Sequence, residues 1–194
     1  MSTINTVTEQ LTRAGQVIEH DSFAIIDSEA GPHAYTERQW PIVRRMIHAN
    51  ADFEFNGLTD FHPDAVEAGL QALLDAKARG GIAMVADVEM ICVGLSKPRL
   101  SHFGVMTHQF ISDADVIAQA QQEDTTRAVQ AMRKAHRLGL LDGAIVGIGN
   151  APTALIELVR LIREEGVRPA LVVGMPVGFV SAAESKDLMA EVQE

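Results

Sequence analysis

LDGAIVGIGNAPTALIELVRLIREEGVRPALVVGMPVGFVSAAESK, residues 141–186, reads as strand, glycine turn, helix, strand, glycine turn and the opening of a second helix. Ala144 to Ile148 is a short apolar run, as expected of a strand buried on both faces. Gly147 and Gly149 then let the backbone turn, and Pro152 suits a first helical position, where its missing N–H costs nothing. Leu155, Leu158, Val159 and Ile162 recur at the spacing of one helix face. Arg168-Pro169 is the expected stop, and Ala170 to Val173 repeats the buried-strand pattern. Gly174, Pro176 and Gly178 form a second turn, and Ser181-Ala-Ala-Glu184 has the pattern of a capping box. Strands joined through a helix run parallel with a right-handed crossover. Ligands of such sheets bind beyond the carboxyl ends of the strands, where both glycine turns lie. The floor of a site is expected there.

Outward from this block the same alternation continues. Pro63 opens a helix whose buried face is expected to carry Val66, Leu70, Leu73 and Leu74, and Gly80-Gly81 ends it. Ile82 to Ala86 is a strand with Asp87 at its crevice-facing end, able to hold a ligand or to cap the helix expected over 88–93. His102 to Phe110 reads as a further strand. Helices are expected from Ser112-Asp113 to Ala120 and from Thr125 to Leu138. Asp52 to Phe61 is a loop or short strand. These elements predict one three-layer α/β/α domain, 1–194, with a mostly parallel sheet of about five strands. Residues 1–14 are a loose or helical lead-in.

Two helices precede this pattern. The first is predicted over 19–29, with Ile18, Ser22, Ile25 and Ile26 on one face and the Ser22 hydroxyl able to bond back to the preceding turn. Thr36-Glu-Arg-Gln39 is a capping-box pattern for a helix reaching Ala49. Trp40, Val43, Met46 and Ile47 make its apolar stripe. His48 lies on the shoulder of that stripe, beside Arg44 and Arg45. It is either a packed surface or helix-end residue or an acid–base group reaching a cleft.

The formal net charge of −10 in 194 residues argues against nucleic acid as a partner. Basic residues do cluster locally, as Arg38, Arg44 and Arg45 and as Arg127, Arg133, Lys134 and Arg137. Arg127 sits where a helix begins, a position that disfavours cations and so hints at an anionic partner. No apolar run is long enough to cross a membrane. The N-terminal residues lack the blocks of a signal peptide, and Cys92 has no cysteine partner, so a cytoplasmic protein is expected. The seven histidines form no metal-binding spacing with cysteine. Gly147-Ile-Gly-Asn-Ala-Pro152 lacks the third glycine of a dinucleotide turn, and neither a P-loop lysine nor a G-x-S-x-G elbow is present. From pattern alone, the crevice, the glycine turns, the histidine and the arginines suit a bulky carboxylated ligand undergoing proton-assisted chemistry.

Several blocks carry a closer likeness. GNAPTAL and PVGFVSAAESK, with RRMIHA (44–49), FHPDAVEAGL (61–70), ADVEMICVGL (86–95) and TTRAVQAMR (125–133), resemble the precorrin-8X methylmutase family from about Ser22 to Met189. The resemblance implies an isomerase of cobalamin biosynthesis. It moves a methyl group from C11 to C12 of a tetrapyrrole by a 1,5-sigmatropic shift, with no cofactor and no external methyl donor. The product is hydrogenobyrinate or its cobalt counterpart. The family's proton-transferring histidine matches His48, and its substrate-contacting serine and arginine match Ser22 and Arg127. Asp87, Gly147, Gly149, Asn150, Gly174 and Gly178 are the remaining expected substrate-binding positions. A homodimer with sites near the subunit interface is implied. A non-catalytic corrinoid carrier is the competing reading. Two departures stand out: Asn50-Ala51 where relatives read Thr-Gly, and Ala86 where many have threonine.

Overall fold

Short apolar runs between glycines and polar turns set the strands in the computed structural model, which describes residues 10–192. Among the described residues four strands form: β1 (Ile82–Ala86), β2 (Val105–His108), β3 (Ile145–Ile148) and β4 (Leu171–Gly174). They lie in the order β2-β1-β3-β4 and every pairing is parallel. The sheet thus has four strands where about five were expected. Nine α-helices accompany them among the described residues: α1 (Arg13–Glu29), α2 (Trp40–Asn50), α3 (Ala65–Arg79), α4 (Glu89–Gly94), α5 (Lys97–Phe103), α6 (Ala114–Gln122), α7 (Arg127–Arg137), α8 (Pro152–Glu165) and α9 (Ala182–Ala190). The first nine residues of the expected lead-in lie outside the described residues.

The described residues form two compact units, one ending at Val66 and one beginning at Glu67. In the second, the sheet register sorts side chains onto two faces. Val85, Val146 and Val172 are lateral partners, and so are Met84, Ile145 and Leu171, one residue out of phase. The first set packs against α7 and α8 through Ala128, Met132, Leu155 and Leu158. The second packs against α3 through Ala72, Leu73 and Ala76. Helices on both faces of a parallel sheet make this unit the expected three layers.

The smaller unit is built from α1, α2 and a 3-10 turn at Phe53–Phe55, which takes the place of the short strand considered for 52–61. Phe23, Ile26, Val43 and Ile47 form its core, with Trp40, Tyr35, Phe55 and Phe61 packed around them.

Several local expectations shift. In α1 the buried positions are Glu19, Phe23 and Ile26, while Ile18 and Ile25 are exposed. Phenylalanine at position 23 therefore sets the inward face, and Ser22 falls at its edge. In α3, Leu70 and Leu74 are exposed and small residues meet the sheet. A Cβ on Gly69 would lie 2.9 Å from Leu171 Cδ2, so a larger residue there would have to displace the end of the Leu171 side chain. The strand expected over 102–110 begins instead at Val105. Lys97-Pro98 opens α5, and Gly104 closes it in the left-handed conformation at φ 67°. Gly166 ends α8 in the same way at φ 72°, ahead of Arg168-Pro169. Thr36 and Gln39 exchange side-chain–backbone hydrogen bonds of 3.0 and 3.3 Å, as a capping box does, and α2 follows from Trp40. Ser181, by contrast, is left-handed at φ 61° and its side chain caps nothing, so the second capping box does not form.

Candidate functional site

The strand order reverses direction between β1 and β3, and this switch point is where a parallel sheet opens a crevice at its carboxyl edge. Asp87 leaves β1 there and Gly149 leaves β3. The Asp87 carboxylate is fully buried. Its Oδ1 accepts the Gly149 N–H at 3.0 Å, and its Oδ2 accepts the N–H groups of Asn150 and Ala151 at 2.9 and 2.7 Å. Ala151 is the N-cap residue of α8 and has no side chain able to cap it. Asp87, 62–64 residues away in the chain, accepts the N–H of this residue and of the two before it, and so places a negative charge near the positive end of the α8 dipole. None of these amides belongs to the second or third residue of α8, so Asp87 anchors the turn leading into that helix without being its N-cap side chain. The adjoining α4, with Val88 at its N-cap, has no side-chain cap either. The turn's amides are taken up by the protein itself, so they do not form an anion cradle. That disposes of a nucleotide-phosphate reading on geometry as well as on motif.

The second glycine turn rests on the first. Met175 donates its N–H to the Ile148 carbonyl at 2.7 Å, and Val177 to the Asn150 carbonyl at 3.3 Å. At Gly149 and Gly174 the lack of a side chain answers to neighbours within the protein, whereas Gly147 has room for ordinary contact. A Cβ would lie 3.4 Å from Met84 Cε at Gly147, 3.0 Å from Ile91 Cδ1 at Gly149 and 3.1 Å from Leu155 Cδ2 at Gly174. Gly178 is different: it has open space around it and a φ of +133° that other residues rarely adopt. The Asn150 side chain is exposed and makes no hydrogen bond to another described residue.

Arg127 begins α7 and is exposed. The preceding Thr126 caps α7 by accepting the Val129 N–H at 3.2 Å, and its hydroxyl lies 2.9 Å from that of Thr153 in the first turn of α8. The starts of α7 and α8 are therefore joined, which brings Arg127 to the same end of the sheet unit as the Asp87-held turn. Arg127 also borders an open depression with Ile117, Ala120, Gln121, Asp124 and Thr125. Its guanidinium makes no ion pair with a described residue. Two other cations of that cluster are engaged, Arg133 with Glu123 and Glu157 and Lys134 with Asp113 and Asp115, while Arg137, in the last turn of α7, makes no ion pair with a described residue. Glu157 is 5% exposed. Burial raises its pKa, but the hydrogen bonds from Arg160 and Arg133 outweigh this and hold it below the usual carboxylate range.

Ser22 and His48 belong to the smaller unit. The Ser22 hydroxyl donates to the Ile18 carbonyl one turn back at 2.7 Å. His48 is half-buried and meets the edge of the Phe23 ring, centroid to centroid at 5.1 Å. Neither ring nitrogen hydrogen-bonds to a described residue. Arg44 and Arg45 place their guanidinium carbons 4.5 and 4.6 Å from the Phe23 centroid. They are anchored in turn by Asp27 and by the buried Glu19. Trp40 shares Asp27 through its indole N–H at 2.8 Å. Sequence spacing singled out Ser22 and His48 but passed over Phe23, although an aromatic next to Ser22 on the inward face of α1 was there to be read.

Among the described residues, no three of His, Cys, Asp and Glu gather as metal ligands do, and no helix is long and apolar enough to cross a membrane. Residues 17–193, running through both units, match the family model described as precorrin-8X methylmutase. The chain belongs to the precorrin-8X methylmutase family. It is 49% identical over 184 residues to the cobalt-precorrin-8 methylmutase of Leptospira interrogans, across 95% of this chain and 81% of that one. Identity to the precorrin-8X methylmutase of Sinorhizobium sp. is 37% over 180 residues, covering 92% and 81% respectively. The crystal structure of the precorrin-8X methylmutase from Thermus thermophilus superposes with a TM-score of 0.81 at 51% identity, covering 91% of this chain and 82% of that one.

Proposed function

We infer that this chain is a methylmutase of cobalamin biosynthesis acting on the precorrin-8 macrocycle, with or without cobalt. The observation that carries this reading is the family match through nearly the whole chain, in a protein whose His48 ring nitrogens make no hydrogen bond to a described residue. In the reaction the bond from C11 to its methyl carbon breaks as the same carbon bonds to C12. Nothing is gained or lost, so neither an electron carrier nor a methyl donor enters the balance. His48 lends a proton to the ring system, making it poorer in electrons as the methyl moves, and recovers that proton afterwards.

Arg127 pairs with a ring carboxylate, which lets a chain of net charge −10 hold an acidic ligand. Ser22 and Asn150 contribute polar contacts, and the backbone of the two glycine turns allows close approach to a flat ring. The protein works as a homodimer. Supporting this are large apolar side chains left exposed on individual helices, Ile18 and Ile25 on α1 and Leu70 and Leu74 on α3. Its setting is the cytoplasm.

The test is the absorption spectrum of precorrin-8X, and of its cobalt form, mixed with the wild-type protein and with His48→Ala. Methyl migration changes ring conjugation. Conversion by the wild type, with binding but no conversion by the variant, is expected. Equal conversion by both would remove His48 from the mechanism. Binding without conversion by either protein would favour a corrinoid carrier.

A further inference from the structure

We propose that Asp87 is a positioning residue of the methyl-shift site: it touches no substrate but fixes the turn Gly149–Ala151 so that Asn150 meets the macrocycle in one orientation. The proposal rests on the functional reading above and reassigns Asp87 from substrate contact to support. Its carboxylate has no solvent exposure, so a ligand cannot reach it without displacing the turn. Each of three successive N–H groups points at it, within 2.7–3.0 Å. Three consecutive amides sharing one carboxylate fix three peptide planes at once. A turn that begins at a glycine would otherwise keep more of its backbone freedom.

The arrangement lies at the β1/β3 switch point, where this architecture places ligands. The Asn150 carbonyl accepts from Val177 at 3.3 Å, so the second turn inherits whatever position the first is given. Asn150 is the exposed side chain in the clamped segment, and its carboxamide makes no hydrogen bond with a described residue. A rigid support under an unengaged polar group is the arrangement expected of a preorganised contact. A second observation agrees. Ile91 Cδ1 lies 3.0 Å from where a Gly149 Cβ would be, so α4 leaves little room for a larger residue at the start of the turn.

Asp87→Asn tests this. A carboxamide offers one acceptor oxygen and one NH2 group. In either orientation it loses at least the bond to Gly149 or those to Asn150 and Ala151, and sets a donor against a donor. Binding of hydrogenobyrinate and turnover of precorrin-8X are measured for wild type, Asp87→Asn, Asn150→Ala and the double variant, with unfolding curves for each. Either single substitution is expected to weaken hydrogenobyrinate binding by roughly tenfold, and the double variant by little more than one alone, because both act through the same contact. Additive losses, or unchanged binding in Asp87→Asn, would overturn the proposal while leaving the methylmutase reading intact. A wild-type protein that neither binds hydrogenobyrinate nor converts precorrin-8X would overturn that reading and this role together.

Amide hydrogen exchange on the wild-type protein decides between the outcomes even where Asp87→Asn does not fold. The amides of 149–151 are expected to be protected before hydrogenobyrinate is added and no more so afterwards. Amides that exchange freely and become protected only on binding would mean the turn is not preformed, and the proposal fails.

Discussion

The His48 imidazole meets the Phe23 ring at a centroid distance of 5.1 Å with 63° between the ring planes, an edge-to-face contact between the first two helices. Phe23 is itself 5% exposed and carries two guanidinium groups within 4.6 Å of its centroid. The aromatic ring is thus the support for the histidine and the meeting point of the arginines around it. Such ring pairs are worth about 0.5–1.5 kcal/mol beyond their burial, enough to favour one imidazole orientation over its alternatives.

Phe23→Leu keeps the volume of the smaller unit nearly constant and removes the ring. The expected cost in stability is below about 1.5 kcal/mol, whereas Phe23→Ala should cost about 3–5 kcal/mol. Turnover in Phe23→Leu should fall while hydrogenobyrinate affinity stays near wild type, because the histidine loses its guide and the substrate does not. Denaturant unfolding and steady-state kinetics on the same preparations check both. A leucine variant with wild-type kcat would show that the ring serves packing alone.

Ala51 closes the second helix in the left-handed region, at φ 52° and ψ 38°. A side chain there crowds the following carbonyl, at a cost of roughly 1–2 kcal/mol. The backbone here adopts the conformation that glycine takes most readily. Ala51→Gly should therefore stabilise the protein, by about 0.5–1 kcal/mol after allowing for the greater freedom of glycine in the unfolded chain. Thermal unfolding at constant pH reads this directly. A lower Tm in the glycine variant would contradict the assigned strain.

Glu157 accepts from Arg133 at 2.9 Å and from Arg160 at 2.7 Å. Its pKa is held below the ordinary value by these partners against the opposing effect of burial. A carboxyl depressed in the folded state contributes stability that is fully present above its unfolded pKa, and the contribution is lost as pH falls through the folded one. The loss should begin near the ordinary glutamate value, roughly 4.3, and grow below it. Glu157→Ala removes a buried acceptor but leaves Arg133 paired with Glu123 and Arg160 with Glu164 and Glu165, and should cost on the order of 1–2 kcal/mol at neutral pH. The difference between wild type and variant should shrink on acidification. A difference that stays constant from neutral pH to the acid limit would mean that the charge on Glu157 contributes nothing.

The parallel sheet was legible because its strands announce themselves locally. Ile82 to Ala86 is bounded by glycines on one side and an aspartate on the other, and the observed strand has those limits. The ends of helices were harder. Gly166 outranked Arg168-Pro169 as the stop of α8 because left-handed closure acts at once, whereas proline acts only on a helix that has reached it. The faces of α1 and α3 were misread for a different reason. Helical spacing identifies which residues share a side but does not say which side is covered, and covering depends on what approaches. Gly69 and Ala76 face the sheet because the helix lies close to it. Asp87 shows the same limit in the site. Its position at a strand end was readable, but its donors sit 62–64 residues away. The one local sign was Ala151 ahead of Pro152, an N-cap residue with no acceptor of its own.

Arg127 stands at the first position of α7, where the dipole's positive end and its own charge oppose each other. Thr126 already caps that helix, so the arginine is not needed to end it. Replacing Arg127 with alanine should therefore move stability and affinity in opposite directions. The helix gains on the order of a few tenths of a kcal/mol, while the affinity for a polycarboxylated product falls by about tenfold or more, the loss of one charge-assisted pair. Arg127→Lys should keep part of the affinity, because the charge remains and the two-pronged geometry does not. The affinity of the wild type should also decline with added salt more steeply than that of the alanine variant. Titration with hydrogenobyrinate at two ionic strengths, alongside thermal unfolding, measures all of these. Equal affinities and equal salt slopes would leave the unpaired arginine at the head of α7 without a ligand-binding role.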